Sequence, residues 1–339
     1  MSSISIALCT YNGAKFLPAQ LESFLAQTRL PDELIICDDC STDATPQIAK
    51  EFARRASFPV FLYLNEINLG STKNFERAVS LCTGDLIFLS DQDDVWLPPK
   101  LSKFAAEFES SKNIGMVFSD AELVGESLES LGHRLWDFSF VPAERQAARN
   151  GKILEVLIKR NVVTGSTMAF RAAFRQAFLP IPTGIPNTIH DAWIALVIAA
   201  NAEISFIEEN LILYRQHPDQ QLGIDWKLSE KIKQTTRRKR YAESIGFERK
   251  ERERLIALTK VTENHPQFQS RDTKALIDIL TETFMKESAQ KILHYEARVN
   301  LPANRLKRIA PIAGELFTGR YQRFSRGLAS AAKDVFETW

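Results

Sequence analysis

The sequence predicts an α/β protein in which a mostly parallel sheet is flanked by helices and followed by a helical C-terminal region. Three observations predict it. Apolar runs of strand length alternate with helix-period segments from Ile4 to Leu89. Polar clusters fall where those runs end. From about Trp226 onward strand signals disappear and charged, helix-period segments dominate. With 339 residues, 45% of them hydrophobic, the chain can bury one large core or a main domain with a helical appendage. The expected division is an α/β domain over residues 1–225 and a basic, mainly helical region over 226–339.

Ile4–Leu8 reads as the first strand, and Phe16, Leu17, Leu21, Phe24 and Leu25 follow at helical spacing. Leu34–Cys37 is the second strand, followed by a helix entered through Ser41, Thr42 and Asp43. Val60–Leu64 is the third strand, Phe75–Leu81 a helix and Leu86–Leu89 the fourth strand. Such alternation favours parallel pairing with helices on both faces. The stretch from about 112 to 225 is less regular: Met116–Ser119 is strand-like, Leu179–Pro186 reads as a loop, and an apolar helix opens at His190-Asp191.

In open parallel sheets, ligands bind beyond the carboxyl ends of the strands. Cys9-Thr10-Tyr11-Asn12 follows the first strand, Asp38-Asp39 the second and Ser90-Asp91-Gln92-Asp93-Asp94 the fourth, so all three clusters are expected in one crevice. Carboxylates one residue apart, as Asp91 and Asp93 are, reach the same side of an extended chain and repel unless a cation bridges them. Mg²⁺ or Mn²⁺, which take oxygen ligands and share them with substrate phosphates, suit that position. An isolated acidic turn that only solvates the chain is the plainer reading. The second acidic pair at the neighbouring strand end favours a site.

Composition excludes several classes. The longest apolar runs, such as Ala192–Ala200, are too short to span a bilayer, and no basic stretch followed by an apolar segment opens the chain, so a cytoplasmic protein without a transmembrane helix is expected. Cys37 and Cys40 share a CxxC spacing that could hold a disulfide or half a zinc site. No second CxxC follows, and Cys37 reads more simply as the close of a buried strand. No GxGxxG follows the first strand, which argues against a dinucleotide-dependent oxidoreductase. The net charge of +1 hides an asymmetry: residues 1–225 carry 19 basic and 28 acidic side chains, and residues 226–339 carry 24 and 14. A basic tail on an acidic domain points to an anionic partner.

Four ordered segments carry a resemblance: Ser5 to Gly13, Ile35 to Asp43, Asn68-Leu69-Gly70, and Thr83 to Leu86 leading into Ser90 to Trp96. Together they resemble family 2 glycosyltransferases of the Rossmann-like GT-A fold, and the SDQDDVW form is similar to bacterial rhamnosyltransferase-like members. The resemblance covers about residues 3–120 well and extends thinly to about 225. It implies that Tyr11 and Asp39, with Thr10 beside them, hold the nucleotide, Asp39 accepting a hydrogen bond from the imide N–H of a uracil or thymine. It implies that Asp91 contacts the nucleotide or metal and that Asp93 is the principal metal ligand. Tyr11 as a core aromatic and Asp39 as a turn or helix-capping carboxylate are the structural alternatives. Cys9 stands where many relatives have proline or a small polar residue, and Cys40 where glycine or asparagine is usual.

An inverting transfer needs a base that takes the proton from the acceptor hydroxyl. His190-Asp191-Ala192-Trp193 resembles the family's catalytic acidic motif, which makes Asp191 the candidate base; a helix N-terminus would keep its carboxylate ionised while lowering its basicity. A helix cap is the alternative for Asp191, and His190 is expected to pack beside it. Tyr214-Arg215-Gln216-His217 resembles a late segment of the same group, so His217 is a candidate metal ligand and Arg215 a candidate partner for the diphosphate or for local carboxylates. Trp96 and Trp193 could stack on sugar rings or pack in the core.

The resemblance implies transfer of a sugar, rhamnose or another deoxyhexose from a dTDP-linked donor, to a saccharide or lipid-linked saccharide acceptor in surface polysaccharide biosynthesis. A nucleotidyltransferase using the same paired aspartates, or a non-catalytic sugar-binding module, is the rival; no nucleic-acid partner is expected. In the C-terminal region, Arg237-Arg238-Lys239-Arg240 is a dense basic run, and Arg305, Lys307 and Arg308 form a second cluster. Phe317, Tyr321, Phe324, Leu328 and Val335 recur at helical spacing with Arg320, Arg323, Arg326 and Lys333 between them. That pattern suits a helix lying in the headgroup layer of an anionic membrane, peripheral on its inner face, or a helix packed on the protein with a solvated basic side.

Overall fold

The computed structural model describes residues 1–218, 220 and 236–336. The strands are β1 (Ile4–Thr10), β2 (Glu33–Asp38), β3 (Val60–Leu64), β4 (Leu86–Ser90), β5 (Val95–Trp96), β6 (Ile114–Val124), β7 (Ser130–Arg134), β8 (Met168–Arg171) and β9 (Glu203–Arg215). The helices are α1 (Leu17–Leu25), α2 (Thr45–Arg55), α3 (Ser71–Leu81), α4 (Lys100–Ser110), α5 (Pro142–Arg149), α6 (Ile153–Lys159), α7 (Arg175–Phe178) and α8 (His190–Ala199). Beyond them come α9 (Arg237–Asn264), α10 (Arg271–Val299), α11 (Arg305–Phe317), α12 (Arg320–Phe324) and α13 (Leu328–Phe336). The described residues fall into two compact units: those within Met1–Gly184, Thr188–Ile224 and His265–Ser270, and those within Ile185–Asn187, Asp225–Asn264 and Arg271–Trp339. The boundary expected near residue 225 lies outside the described residues.

In the first unit one mixed sheet runs β3-β2-β1-β4-β8-β6-β9-β5, with β7 paired to β6. Every residue of β1, β2 and β4 is buried, as near-continuous apolar strands covered on both faces must be. β1 pairs in parallel with β2 on one side and β4 on the other. The expected parallel, helix-flanked α/β sheet is therefore present, concentrated in β3-β2-β1-β4. Its other half adds what the patterning left irregular: β8 runs antiparallel between β4 and β6, and the long β9 pairs in parallel with β6.

The helix expected to begin through Ser41–Asp43 begins at Thr45. The three side chains are used otherwise: Ser41 Oγ accepts Asn12 N–H, Thr42 Oγ1 and the Thr42 amide donate to Asn12 Oδ1, and Asp43 accepts the amides of Ala14 and Thr45. They clamp the loop after β1 before the helix starts. All four cysteines are free. Cys37 is buried in β2, its thiol pushed up to about 12 by burial, and Cys40 occupies a left-handed turn at φ 65°, a conformation that suits glycine or asparagine better.

The second unit is built on α9 and α10, an antiparallel pair in which Arg252 reaches Met285 O, Lys291 reaches Glu248 and Tyr241 stacks on Tyr295. Asp334, fully buried, accepts from Arg298 Nε at 2.7 Å and Tyr321 Oη at 2.7 Å and pairs with Arg237 at 3.0 Å. Arg308 is buried and donates to the carbonyls of Pro302, Ala303 and Asp334. Two side chains of the basic clusters thus serve the interior. The single amphipathic helix expected across Phe317–Val335 is also corrected. Left-handed Gly319 and Gly327 break it into three helices, and Tyr321 and Val335 turn inward onto Leu301, Ile312 and Ala331.

Gly84 lies where the chain turns into β4, and a Cβ there would sit 2.8 Å from Ser5 N and 3.1 Å from Ile4 C, both backbone atoms of β1. Gly84→Ala is expected to destabilise the fold by about 2 kcal/mol through forced strand displacement, read as a lowered urea midpoint with an unchanged m value.

Candidate active site

A cavity of about 570 Å³, within the size of small-molecule sites, opens at the carboxyl ends of β1, β2 and β4. Its wall contains Thr10, Tyr11, Asp39, Asp91, Asp93, Asp191, Arg215 and His217, so the structure brings these sequence-selected residues together. The two adjacent aspartates after β2 divide. Asp38 accepts from Thr10 Oγ1 at 2.8 Å, Ser41 Oγ at 2.6 Å and Ser41 N at 2.9 Å, holding two strand ends together. Asp39 is held at Oδ1 by Asn65 Nδ2 and Leu69 N at 2.7 Å each and at Oδ2 by Gly70 N at 2.8 Å. Those three bonds leave accepting capacity on Oδ2 at the cavity wall. Tyr11 is half exposed, its backbone clamped by Gln92, which accepts from Tyr11 N and donates to Tyr11 O.

The aspartates after β4 are crowded. Burial and the neighbouring Asp93, Asp94 and Asp191 push the Asp91 carboxyl well above the carboxylate range, and burial together with Asp93 lifts Asp94 to about 7. Asp93 Oδ2 lies 3.0 Å from His217 Nε2, and the His217 ring packs on Phe16. Arg215 is committed to the scaffold: its backbone N donates to Asp94, its Nε to Asp93 O, and its Nη1 to Glu126 O.

Among the described residues no three His, Cys, Asp or Glu side chains already converge as a closed metal cage. The donor set nevertheless fits Mg²⁺ or Mn²⁺, which are commonly held through one or two carboxylates and complete their shell with substrate phosphate and water. Asp93 and Asp91 supply oxygens whose mutual repulsion a cation would relieve, and His217 Nε2 already faces Asp93.

Asp191 stands at the first turn of α8. Its Oδ2 accepts Gly165 N–H at 3.1 Å, and its Oδ1 accepts Asn161 Nδ2 at 3.2 Å and its neighbour's amide, Ala192 N. Burial outweighs these bonds and raises the carboxyl to about 6, so the lowered basicity expected from the helix terminus is corrected. Gly165 permits the approach, since a Cβ there would meet His190 Nε2 at 3.1 Å. His190 stacks on Phe75 with ring centroids 4.0 Å apart, and burial pulls it down to about 3, which keeps it neutral.

Residues 5–178, just over half the chain, match the sequence model of glycosyl transferase family 2. The chain belongs to that family. Its fold agrees with solved structures. It is similar to S. aureus TarS residues 1–349 in complex with UDP, with a TM-score of 0.55, 16% identity and 95% and 91% of the two chains covered. It is also similar to the mannosyltransferase PcManGT from Pyrobaculum calidifontis in complex with GDP-Man and Mn²⁺, with a TM-score of 0.52, 16% identity and 99% and 87% covered. The abequosyltransferase RfbV of Salmonella typhimurium is 30% identical over 137 residues, 39% of this chain and 40% of that one. The chain spans 59% of the length of mycobacterial relatives of undescribed activity, to which it is 29% identical.

Packing decides between the two readings of Trp96 and Trp193 in favour of the core. Trp96 and Trp193 are each 1% exposed: Trp96 lies among Phe24, Phe88 and Lys100, and Trp193 donates Nε1 to Phe178 O, so neither offers a face to a sugar. Three contributors were missed. Lys100 is fully buried, donates to Ser166 O at 2.7 Å and lies 3.5 Å over the Trp96 ring; Asp94 and Asp91 favour its charged form while burial holds its ammonium well below the usual lysine range. Its signal was readable, because Lys100, Phe104 and Phe108 share one helical stripe. Asn161 and Gly165 had none, since both act through a loop whose path only the tertiary structure sets.

The raised Asp191 carboxyl has a stability consequence. Its folded value lies above the ordinary one, so the stabilisation it contributes is full at low pH and is lost as pH rises from about 4 through about 6. Asp191→Asn removes the buried charge; a shift of about two units is worth ~3 kcal/mol, less about 1–2 kcal/mol for one lost accepting oxygen. The variant is expected to melt above the wild type at neutral pH, with the gain vanishing near pH ~5 and reversing below it.

Proposed function

We propose that the chain catalyses inverting, metal-dependent transfer of a sugar from a nucleoside-diphosphate donor to a saccharide hydroxyl, with Asp191 as the base. The observation that carries this reading is the placement of one carboxylate with a raised pKa in the same cavity as a crowded carboxylate cluster. The roles separate by environment, as acid–base sites require.

In this reading the donor's base lies against Tyr11 and Thr10, and Asp39 Oδ2 accepts an imide N–H. Asp93 and Asp91, with His217, hold Mg²⁺ or Mn²⁺. A metal held there would supply positive charge opposite the departing diphosphate. Asp191 takes the proton of the acceptor hydroxyl as its oxygen bonds to the anomeric carbon. The bond from that carbon to the donor phosphate oxygen breaks, and its electron pair leaves with the nucleoside diphosphate. Arg215 acts by holding the Asp93 backbone and the segment at Glu126. Support for a deoxyhexose such as rhamnose, from a dTDP-linked donor, comes from the SDQDDVW resemblance and the abequosyltransferase relative. The UDP and GDP-Man complexes of the structural relatives are compatible with a nucleotide in this crevice. A saccharide or lipid-linked saccharide acceptor, in polysaccharide assembly at the inner face of the membrane, completes the proposal.

Turnover of nucleotide sugars, measured as free nucleoside diphosphate, tests it. Asp191→Asn is expected to lower kcat by about 10²–10⁴-fold while leaving donor binding intact. Asp93→Ala, or chelation of the metal, is expected to remove both turnover and donor-induced thermal stabilisation. Release of pyrophosphate instead would assign nucleotidyl transfer. Because the base works deprotonated, kcat/KM is expected to fall as pH drops through about 6. A profile flat across that region would remove Asp191 from the role.

A further inference from the structure

The inward face of α11 carries Arg308, Ile312 and Glu315, all buried. The opposite face carries Leu306, Ile309, Ala310, Ala313 and Phe317, spaced as one helical stripe, and three of these are strongly exposed: Leu306 at 78%, Ile309 at 53% and Phe317 at 93%. The packed face is thus largely charged and internally paired, and the apolar stripe is the face left exposed. The neighbouring α13 repeats the arrangement, burying Ser330, Ala331 and Asp334 and exposing Leu328 at 71% and Phe336 at 69%.

Charge on these helices is sorted in the same way. Residues 301–336 contain two carboxylates, and both are buried and paired, Glu315 with His294 and Arg320, and Asp334 with Arg298 and Arg237. Arg305, Lys307, Arg323, Arg326 and Lys333 are exposed. The exposed charge of this segment is thus entirely positive, and it flanks exposed leucine, isoleucine and phenylalanine.

We propose that the outer face of α11 and α13 is a docking surface for an anionic lipid bilayer, with Leu306, Ile309, Phe317, Leu328 and Phe336 entering the headgroup layer and the five cations meeting lipid phosphates. Two properties select this occupant. A second copy would bring the same five cations against these, which like-charge repulsion disfavours. Exposed aliphatic and phenyl groups gain from hydrocarbon, whereas a nucleic-acid backbone would use the cations alone. The surface differs from the one the sequence suggested, because Tyr321, Val335, Arg237 and Arg308 are spent on the interior. The inference does not depend on the transfer chemistry, so its failure leaves the proposed reaction standing.

The test is sedimentation of the full chain with vesicles of phosphatidylcholine alone or mixed with phosphatidylglycerol, at low and high salt. Expected are binding to the anionic vesicles, weakening with salt, and little binding to neutral ones. Ile309→Ser with Phe317→Ser is expected to reduce binding at least tenfold, and Lys307→Glu with Arg323→Glu to reduce it similarly, each charge being worth roughly fivefold near an anionic surface. All four positions are exposed, so melting temperature and nucleotide-sugar turnover in solution are expected to stay at the wild-type level. Equal binding to neutral and anionic vesicles, binding unchanged in both double variants, or wild-type dimerisation that Phe317→Ser abolishes would overturn the proposal.

Discussion

Everything at the site depends on one pairing constraint: β1 is hydrogen-bonded in parallel to β2 on one side and to β4 on the other. The chain order moves outward from β1 through β2 to β3, then returns across β1 to lay down β4. At such a reversal the connections leave in opposite directions, and a crevice opens at the carboxyl ends. Thr10, Asp38-Asp39 and Ser90-Asp91 are the residues at those ends, so their convergence follows from register rather than from any attraction between them. Indeed the carboxylates repel, and covalent continuity with three buried strands is what holds them close.

That repulsion has to be offset, and the molecule does so differently for each group. Asp38 accepts two hydroxyls and an amide that tie the ends of β1 and β2 together, which makes it a structural brace, whereas Asp39, held by as many bonds, lines the cavity. Asp94 accepts an amide from Arg215 and is drawn down by the nearby Lys100, yet burial and Asp93 still lift it to about 7. Asp93 has His217. Asp191 receives two backbone amides and Asn161, and still titrates high because it is buried. A divalent cation arriving with an anionic substrate would relieve such a cluster, and a partial set of protein oxygens leaves room for that substrate's own.

The fold was legible where local pattern and tertiary role coincide. β1, β2 and β4 are apolar throughout because both their faces are covered, and their ends carry the chemistry. Legibility failed where a strand pairs at long range. β9 alternates weakly between buried and exposed positions, and β8 is four residues long, inserted between β4 and β6 by antiparallel pairing that no local signal announces. Ser41, Thr42 and Asp43 carried a helix-start signature, but the same donors and acceptors are used across the gap to Asn12 and Ala14, so helix α2 starts later. Trp96 and Trp193 stood beside functional residues in sequence, and adjacency in a strand or helix sends alternate side chains to opposite sides.

The C-terminal helices show why a composition of charge becomes informative only after burial is known. Counted along the chain, the basic excess of residues 226–339 is one number. In the folded unit it separates into two populations. Arg237, Arg298 and Arg308 lie inside, where Asp334 and main-chain carbonyls neutralise or solvate them, as buried cations require. In α11 to α13 the two carboxylates, Glu315 and Asp334, are both used in buried pairs, so the cations left outside there have no acidic neighbours on the same helices. The same partition acts on the apolar residues. Tyr321, Ile312 and Ala331 suffice for the small core, so Leu306, Ile309 and Phe317 are in excess of what that core can bury. An isolated helix face with that excess costs solvation free energy in water, and association with a surface that is both apolar and anionic lowers it.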